Sequence, residues 1–351
     1  MTEREPEITI VIPVRNERAF IDATLDSVLR QRLALEFEVI VAEGRSSDGT
    51  RELLEKRAKA EPRLKIVDNP SGATPSALNR ALEAARGRFL VRVDGHSLID
   101  PDYVQRLVDH LLSGNCDGVG GRKQAVGESD FGQAVAAAHG SRFGIGDSSY
   151  HFAGDARHVD HVPFGAYRTE LARKIGGWNE RLTRNQDFDF DYRYVRAGGR
   201  LLLDPSIVVE WSVRESPLRL ARQYFEYGFW KAQVFIQHPR SLHLRWLAPP
   251  ALAGALVLAA ALSWTLAGRW ALAIIAASYG VFLATGAIFL SRKTRIRLIP
   301  QLVLALATMH LAWGGGFLLG SARAACRGLG RLLHLLPKKS GARRDPPGSV
   351  T

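Results

Sequence analysis

Three long stretches near the C-terminal end of this chain carry no charged side chain, and they divide the sequence into two unlike parts. Trp246–Gly268, between Arg245 and Arg269, has 23 residues, Trp270–Ser291 has 22, and Leu298–Ala322, between Arg297 and Arg323, has 25. About 20 apolar residues are needed for a helix to cross the hydrocarbon core of a bilayer. The first two runs therefore predict a membrane hairpin, with Arg269 at its turn and Trp264 and Trp270 beside it as interfacial aromatics. Two adjacent uncharged runs of this length are rare in soluble chains, which disfavours a pair of buried helices. The third run contains Gln301, His310 and Gly314-Gly315-Gly316, so it either spans or re-enters. A full span would carry the basic residues from Arg323 to Arg344 outward, against the positive-inside rule. Arg323, Arg327 and Arg331 recur every four residues, which also suits a helix lying on an anionic surface. Gly316 and Gly320 have GxxxG spacing, which chance readily produces in a chain with 33 glycines.

Charge follows the same division. The formal net charge is +12. From His238 onward fourteen Lys/Arg face one acid, Asp345, whereas residues 1–237 hold thirty-three basic and thirty-four acidic side chains. Basic residues flanking apolar runs are membrane anchors rather than a phosphate-tracking groove, so nucleic acid is excluded as the main partner. Cys116 and Cys326 match neither a zinc spacing nor a disulfide framework, which fits a reducing compartment. The charged start, Met1 to Glu5, leads directly into a strand, so no signal peptide is expected and the N-terminal domain should stay in the cytoplasm. The expected organisation is a catalytic domain over residues 1–215 and an amphipathic interfacial linker helix over 216–245. A membrane region over 246–322 and a basic tail over 323–351 follow.

Ahead of the membrane region, short apolar runs alternate with helical periodicity. Strands are expected at Ile8–Pro13, Glu38–Ala42, Leu64–Val67 and Phe89–Asp94. Helices are expected from Phe20, from a cap at Ser47 or Asp48 to about Ala60, from Thr74-Pro75, and over Pro101–Ser113. This βαβα order implies an α/β fold with a mostly parallel sheet, whose ligands bind beyond the carboxyl ends of the strands. There the sequence places Pro13 to Glu17, Glu43, and Asp94-Gly95-His96. Gly118-Val119-Gly120-Gly121 lacks the third dinucleotide glycine and nothing matches a P-loop, which disfavours an oxidoreductase or an NTPase.

Asp94 could bind a hard cation that grips a diphosphate, with His96 adding a nitrogen ligand. Equally, Asp94 could cap a turn and His96 could be a solvated loop residue. Asp187, Asp189 and Asp191 alternate at the start of a helical run. Asp187 and Asp191 share one helix face. At least one of the three is expected to be a cap, and a general base is the sharper reading for another. His139, His151, His158 and His161 fit no standard zinc site and are expected to be solvated loop residues.

Taken together, seven segments resemble family 2 glycosyltransferases of the GT-A fold: TIVIPVRNE (Thr9–Glu17), VAEGRSSDGT (Val41–Thr50), TPSALNRAL (Thr74–Leu82), ARGRFLVRVDGHSLI (Ala85–Ile99), VPFGAYR (Val162–Arg168), GGWNE (Gly176–Glu180) and QDFDFDYR (Gln186–Arg193). Within that family the chain resembles the ExoA type of membrane-anchored exopolysaccharide enzyme. The resemblance covers residues 8–237 and rests on the ordered run of motifs. It implies a GT-A domain followed by transmembrane helices, and a donor-binding set of Pro13, Arg15, Glu17, Glu43, Asp48, Asn79, Arg92 and Asp94. Glu43 would contact the nucleoside where relatives usually have Asp. Asp94 would bind a divalent metal (Mn²⁺ or Mg²⁺) and the diphosphate, with His96 where most relatives have a second Asp. Asp187 would be the catalytic base, and Gly165, Ala166, Gln186, Arg222 and Trp230 would line the acceptor pocket. The implied reaction is inverting transfer from a nucleotide-diphosphate sugar, UDP-hexose first, to a lipid-linked acceptor. The setting is a bacterial inner membrane, crossed more than once. Alternatives are transfer to a polyprenyl phosphate, a short processive synthase, and an inactive membrane scaffold. Arg222 to Trp230 does not reproduce the QxxRW spacing of processive synthases, which argues against a polymerase with its own channel.

Overall fold

The structure, a computed structural model, describes residues 5–146 and 154–335. In chain order, β1 (Ile8–Val14), α1 (Ile21–Leu29), β2 (Phe37–Glu43), α2 (Thr50–Ala60), β3 (Leu64–Asp68), α3 (Thr74–Ala84) and β4 (Phe89–Arg92) form one half of the sheet and its crossover helices. Next come α4 (Tyr103–Leu112), β5 (Gly118–Val126), α5 (Asp130–His139), α6 (Arg142–Ile145), β6 (Arg157–Val159), β7 (Ala166–Arg168), α7 (Thr169–Lys174), α8 (Gln186–Arg196) and β8 (Leu201–Ser212). The eight strands lie in the order β3-β2-β1-β4-β7-β5-β8-β6. β1 pairs in parallel with β2 and β4, β2 with β3, and β5 with β8, whereas β7 runs antiparallel to both β4 and β5. The mostly parallel α/β sheet expected from the sequence is therefore present.

Parallel strands covered by helices on both faces read as continuous apolar runs. Ile8, Ile10 and Ile12 of β1 face one core with Val39 and Val41 of β2, while Val11, Ile40 and Ala42 face the other with α3. Chain direction fixes which end carries chemistry. β2 and β3 lie on one side of β1 and β4 on the other, so a crevice opens at the carboxyl ends of β1 and β4, where strand order reverses.

Beyond the sheet, α9 (Pro217–Gln237) is followed by short 3-10 turns at Pro239–Ser241 and Leu244–Leu247 and then by α10 (Ala248–Ala261), α11 (Leu266–Ser291) and α12 (Ile299–Leu335). The linker helix thus stops at Gln237, short of 245. The apolar runs are also divided differently from the expectation. The hairpin turn is Leu262–Thr265 rather than Arg269. Thr265 caps α11 by accepting from the Gly268 amide at 3.0 Å, and Arg269 lies inside α11, folding its Nε back onto the Ser263 carbonyl at 2.9 Å. α11 and the stretch Ile296–Cys326 are long and apolar enough to cross a membrane, whereas α10 has only 14 residues. At 1.5 Å per residue that is about 21 Å, short of a full crossing.

α12 docks on α9 through glycine. A Cβ on Gly316 would overlap the Phe225 carbonyl, one on Gly320 the Phe229 carbonyl, and one on Gly228 the Trp313 carbonyl. The GxxxG spacing is a packing face after all. The N-terminal half of α12 packs on α5 and α11 through Leu302, Leu306 and Met309, and His310 Nε2 bonds the Phe143 carbonyl at 2.7 Å. Arg297, in the loop between α11 and α12, pairs with Asp130 of α5 at 3.0 Å, which puts that basic loop beside the catalytic domain.

Candidate active site

The loops after β1 and β2 are stitched together at the crevice. Asn16, in a left-handed conformation, donates its amide to Ser46 Oγ at 2.8 Å and accepts from the Ser47 amide at 2.9 Å. Asp48 accepts from the Arg18 amide at 3.1 Å and from Thr50 Oγ1 at 2.6 Å, with the Thr50 bond foremost in holding its carboxyl below the usual range. Arg15 lies across Gly44 and Gly72, where a Cβ at either glycine would crowd its side chain. Pro13, two residues earlier, is the last residue but one of β1. Glu43 is fully buried, accepting from the Ser46 amide at 2.7 Å and Arg51 Nη1 at 3.1 Å. Burial opposes its charge, but these donors prevail and its pKa is lowered. Asn79 is committed elsewhere: its amide bonds Trp178 N and O and Glu180, at 2.7, 2.8 and 2.8 Å, and so pins the turn after α7.

The centre of the crevice is a charge cluster built on Arg92, the last residue of β4. Arg92 Nε donates to Asp94 Oδ1 at 2.9 Å and Nη1 donates to Asp187 Oδ1. An arginine this buried, 9% exposed in its side chain, must have both its charge and its donors matched. Burial works against the guanidinium charge, yet Asp187 and then Asp94 outweigh it and raise its pKa. Burial likewise opposes the Asp94 charge, and Arg92, followed by His96 and Lys123, lowers its pKa overall. His96 Nδ1 lies 3.1 Å from Glu17 Oε1, and that hydrogen bond, ahead of the opposing effect of burial, raises the imidazole pKa.

A cation could use the second Asp94 oxygen together with the half-exposed His96 imidazole. No three His, Cys, Asp or Glu side chains gather around one point among the described residues. One carboxylate and one imidazole would leave most positions of a divalent ion to water and substrate phosphate, with the imidazole suiting Mn²⁺ better than Mg²⁺.

Asp187 sits in the first turn of α8 with its side chain 35% exposed, so it is open to a substrate. The two other carboxylates of α8 are closed. Asp191 is sealed, accepting from Tyr167 Oη at 2.8 Å and the Val162 amide at 2.9 Å, with His161 Nδ1 at 2.6 Å. Desolvation raises its pKa. Asp189, also fully buried, pairs with Arg193 and His238, both at 2.8 Å. Of the histidines expected to be solvated, His158 is exposed, whereas His139 is buried beside Tyr224 and His161 holds Asp191. His151 lies outside the described residues.

Gly165 accepts the Arg92 amide at 3.2 Å, and Ala166 is buried in β7. Gln186 opens α8 beside Asp187. α9 braces this turn: Asn185 Nδ2 donates to the Tyr227 carbonyl at 3.1 Å, and Lys231 Nζ lies 3.2 Å from the Phe188 ring centroid. Arg222 is solvent-exposed and pairs with Glu226, which also binds Arg184. Half-buried Trp230 packs on its neighbour Phe229.

One central residue escaped the sequence. Lys123 of β5 places Nζ 4.7 Å from the Phe164 ring centroid and 4.8 Å from that of Trp211. Desolvation lowers its pKa against the pull of Asp94 and Asp187. A register shift between Gly121 and Arg122 sets the side chain's direction, and period-2 counting could not have revealed it.

A family model described as "Glycosyl transferase family 2" matches residues 9–176. The chain is 33% identical over 317 residues to the succinoglycan biosynthesis protein ExoA of Rhizobium meliloti, covering 88% of this chain and 93% of that protein. It is 23% identical, over 69% of this chain and 77% of the relative, to a dolichyl N-acetyl-alpha-D-glucosaminyl phosphate 3-beta-D-2,3-diacetamido-2,3-dideoxy-beta-D-glucuronosyltransferase of Methanococcus voltae. Among solved structures it resembles the mannosyltransferase PcManGT of Pyrobaculum calidifontis in complex with GDP-Man and Mn²⁺, at 21% identity and TM-score 0.56, covering 90% of this chain and 88% of that one. With a sheet of this order, a charge cluster at its switch point and a relative matched along almost its whole length, the chain belongs to the family 2 glycosyltransferases and has the GT-A fold.

Proposed function

We propose that this glycosyltransferase moves one sugar from a nucleotide-diphosphate donor, UDP-hexose first, to a polyprenyl-diphosphate-linked acceptor at the cytoplasmic face of a bacterial inner membrane, with inversion, in exopolysaccharide synthesis. The observation that carries this reading is the Arg92 guanidinium holding both Asp94 and Asp187 at the switch-point crevice. One oxygen of Asp187 is fixed by Arg92, and the other takes the proton of the acceptor hydroxyl. That hydroxyl oxygen bonds to the anomeric carbon as the bond to the diphosphate breaks on the opposite face. Base assistance of this kind contributes roughly 10²–10⁴-fold, and orientation with charge stabilisation supplies the rest. Arg92 and Lys123 bring two positive charges to the crevice where the diphosphate departs. A cation held by Asp94 and His96 would neutralise further diphosphate charge. Pro13, Arg15, Glu17 and Asp48 line the donor side, with Glu43 stiffening the loop under the nucleoside. Gly165, Ala166 and Gln186 form the acceptor side.

The similarity to ExoA supports the exopolysaccharide assignment, and the apolar helices support an acceptor held in a membrane. The test is a screen of UDP- and GDP-sugars against membranes carrying lipid-linked acceptors. One sugar added to a lipid-linked oligosaccharide is the expected product. A sugar on a bare polyprenyl phosphate, or a ladder of products, would contradict it.

A further inference from the structure

A second charged cavity lies on the other flank of α8, away from Asp187. Its volume is about 640 Å³, and Tyr192, Arg193, Arg196, His238 and Arg240 line it. Asp189, Arg193 and Arg196 form one stripe of α8, at i, i+4 and i+7. Two residues turn an α-helix through about 200°, so this stripe faces away from the Asp187 side. Arg193 is neutralised by Asp189. Arg196 and Arg240 have no carboxylate within ion-pair distance among the described residues. The last turn of a helix favours cations, which accounts for Arg196. It does not account for Arg240, which arrives from the 3-10 turn at Pro239–Ser241. The His238 and Tyr192 rings, both lining the groove, pack at a tilt with their centroids 4.8 Å apart.

What borders the groove points to its occupant. Ile236, Leu242 and Leu244 are exposed around the turn that carries Arg240, and the apolar α10 begins at Ala248. A soluble anion has no use for an apolar rim, whereas a phospholipid matches a basic hollow and an apolar border together. From this placement we infer that the groove between α8 and the end of α9 binds the phosphate headgroup of an anionic membrane lipid. The inference rests on the reading of the C-terminal helices as membrane-embedded. The same lipid would brace His238 and Arg193, and through Asp189 the helix whose first turn carries Asp187.

Full-length protein in phosphatidylcholine bilayers containing a minority of phosphatidylglycerol, extracted in mild detergent, reports retained lipid by native mass spectrometry. The wild type is expected to keep phosphatidylglycerol. The double variant Arg196→Gln/Arg240→Gln should lose it by roughly tenfold or more, since each basic contact near a lipid surface counts separately. Arg30→Gln/Arg80→Gln removes the same charge from exposed sites elsewhere and should retain the lipid, and matched melting temperatures exclude misfolding. Equal retention by both double variants overturns the site. Displacement of the lipid by millimolar inorganic phosphate would assign the groove to a soluble phosphate and overturn the lipid. Retention is read without turnover, so failure here leaves the transferase reading standing.

Discussion

Arg92 on β4 and Asp187 on α8, 95 residues apart in the chain, are joined by a side-chain hydrogen bond. The same guanidinium holds Asp94, so the proposed base and the proposed cation ligand share one arginine. Removing it with Arg92→Met leaves two carboxylates without their partner, and loss of a buried partner costs roughly 3–5 kcal/mol. A melt should show that loss, with turnover falling sharply. Arg92→Lys keeps the charge but not the fork. It should recover part of the stability and little of the activity. Full activity in Arg92→Lys would mean that the shared geometry does not matter.

The two closed carboxylates of α8 predict a different phenotype. Asp189→Asn breaks the pairing with Arg193 and His238 and should lower the melting temperature by several degrees while turnover per folded molecule stays near normal. Asp191→Asn should also act on stability, because no substrate reaches a side chain sealed by Tyr167 and Val162. Loss of turnover without loss of stability in either variant would reassign the base.

Acid should unfold the sheet partly through Glu38. Its buried carboxylate gathers Thr9, Lys65 and the Arg86 amide from three neighbouring segments. Burial opposes the charge but these donors prevail, so the folded pKa lies below the ordinary value of 4.5. A lowered folded pKa means that this stabilisation is complete above pH 4.5 and is lost as pH falls through the folded value. Denaturation followed by intrinsic fluorescence should show stability declining below pH 4.5, with a shallower decline in Glu38→Gln. Identical slopes would remove Glu38 from the account.

Topology gives a further check. The Arg297–Asp130 pair predicts that the loop after α11 lies on the same side as the catalytic domain, as the positive-inside rule requires. A reporter fused after Leu290 should read as cytoplasmic, and an external signal would contradict the placement.

Much of this was legible in the residues. Strands β1 to β4 announced themselves because parallel strands buried on both faces need unbroken apolar runs, and the strand ends then located Asp94. The closed state of Asp189 was not legible. Its partner His238 lies 49 residues away, and helix spacing shows which residues share a face but not what the other face meets. Lys123 was hidden by the register shift in β5. The hairpin turn was misplaced because Arg269 looked like a boundary, whereas the helix begins at its cap, Thr265, and lets the arginine reach back.

The most direct test of the central claim compares donor affinity with turnover in two variants. Asp187→Asn retains the size and most of the hydrogen bonding of the side chain but cannot take a proton. Transfer should fall by roughly 10²-fold or more, with metal-dependent donor binding almost unchanged. Asp94→Asn should show the opposite order, weakening donor binding first, because an amide is a poor ligand for a hard cation. Near-normal turnover in Asp187→Asn, measured per folded molecule, would contradict the assignment of Asp187 as the base.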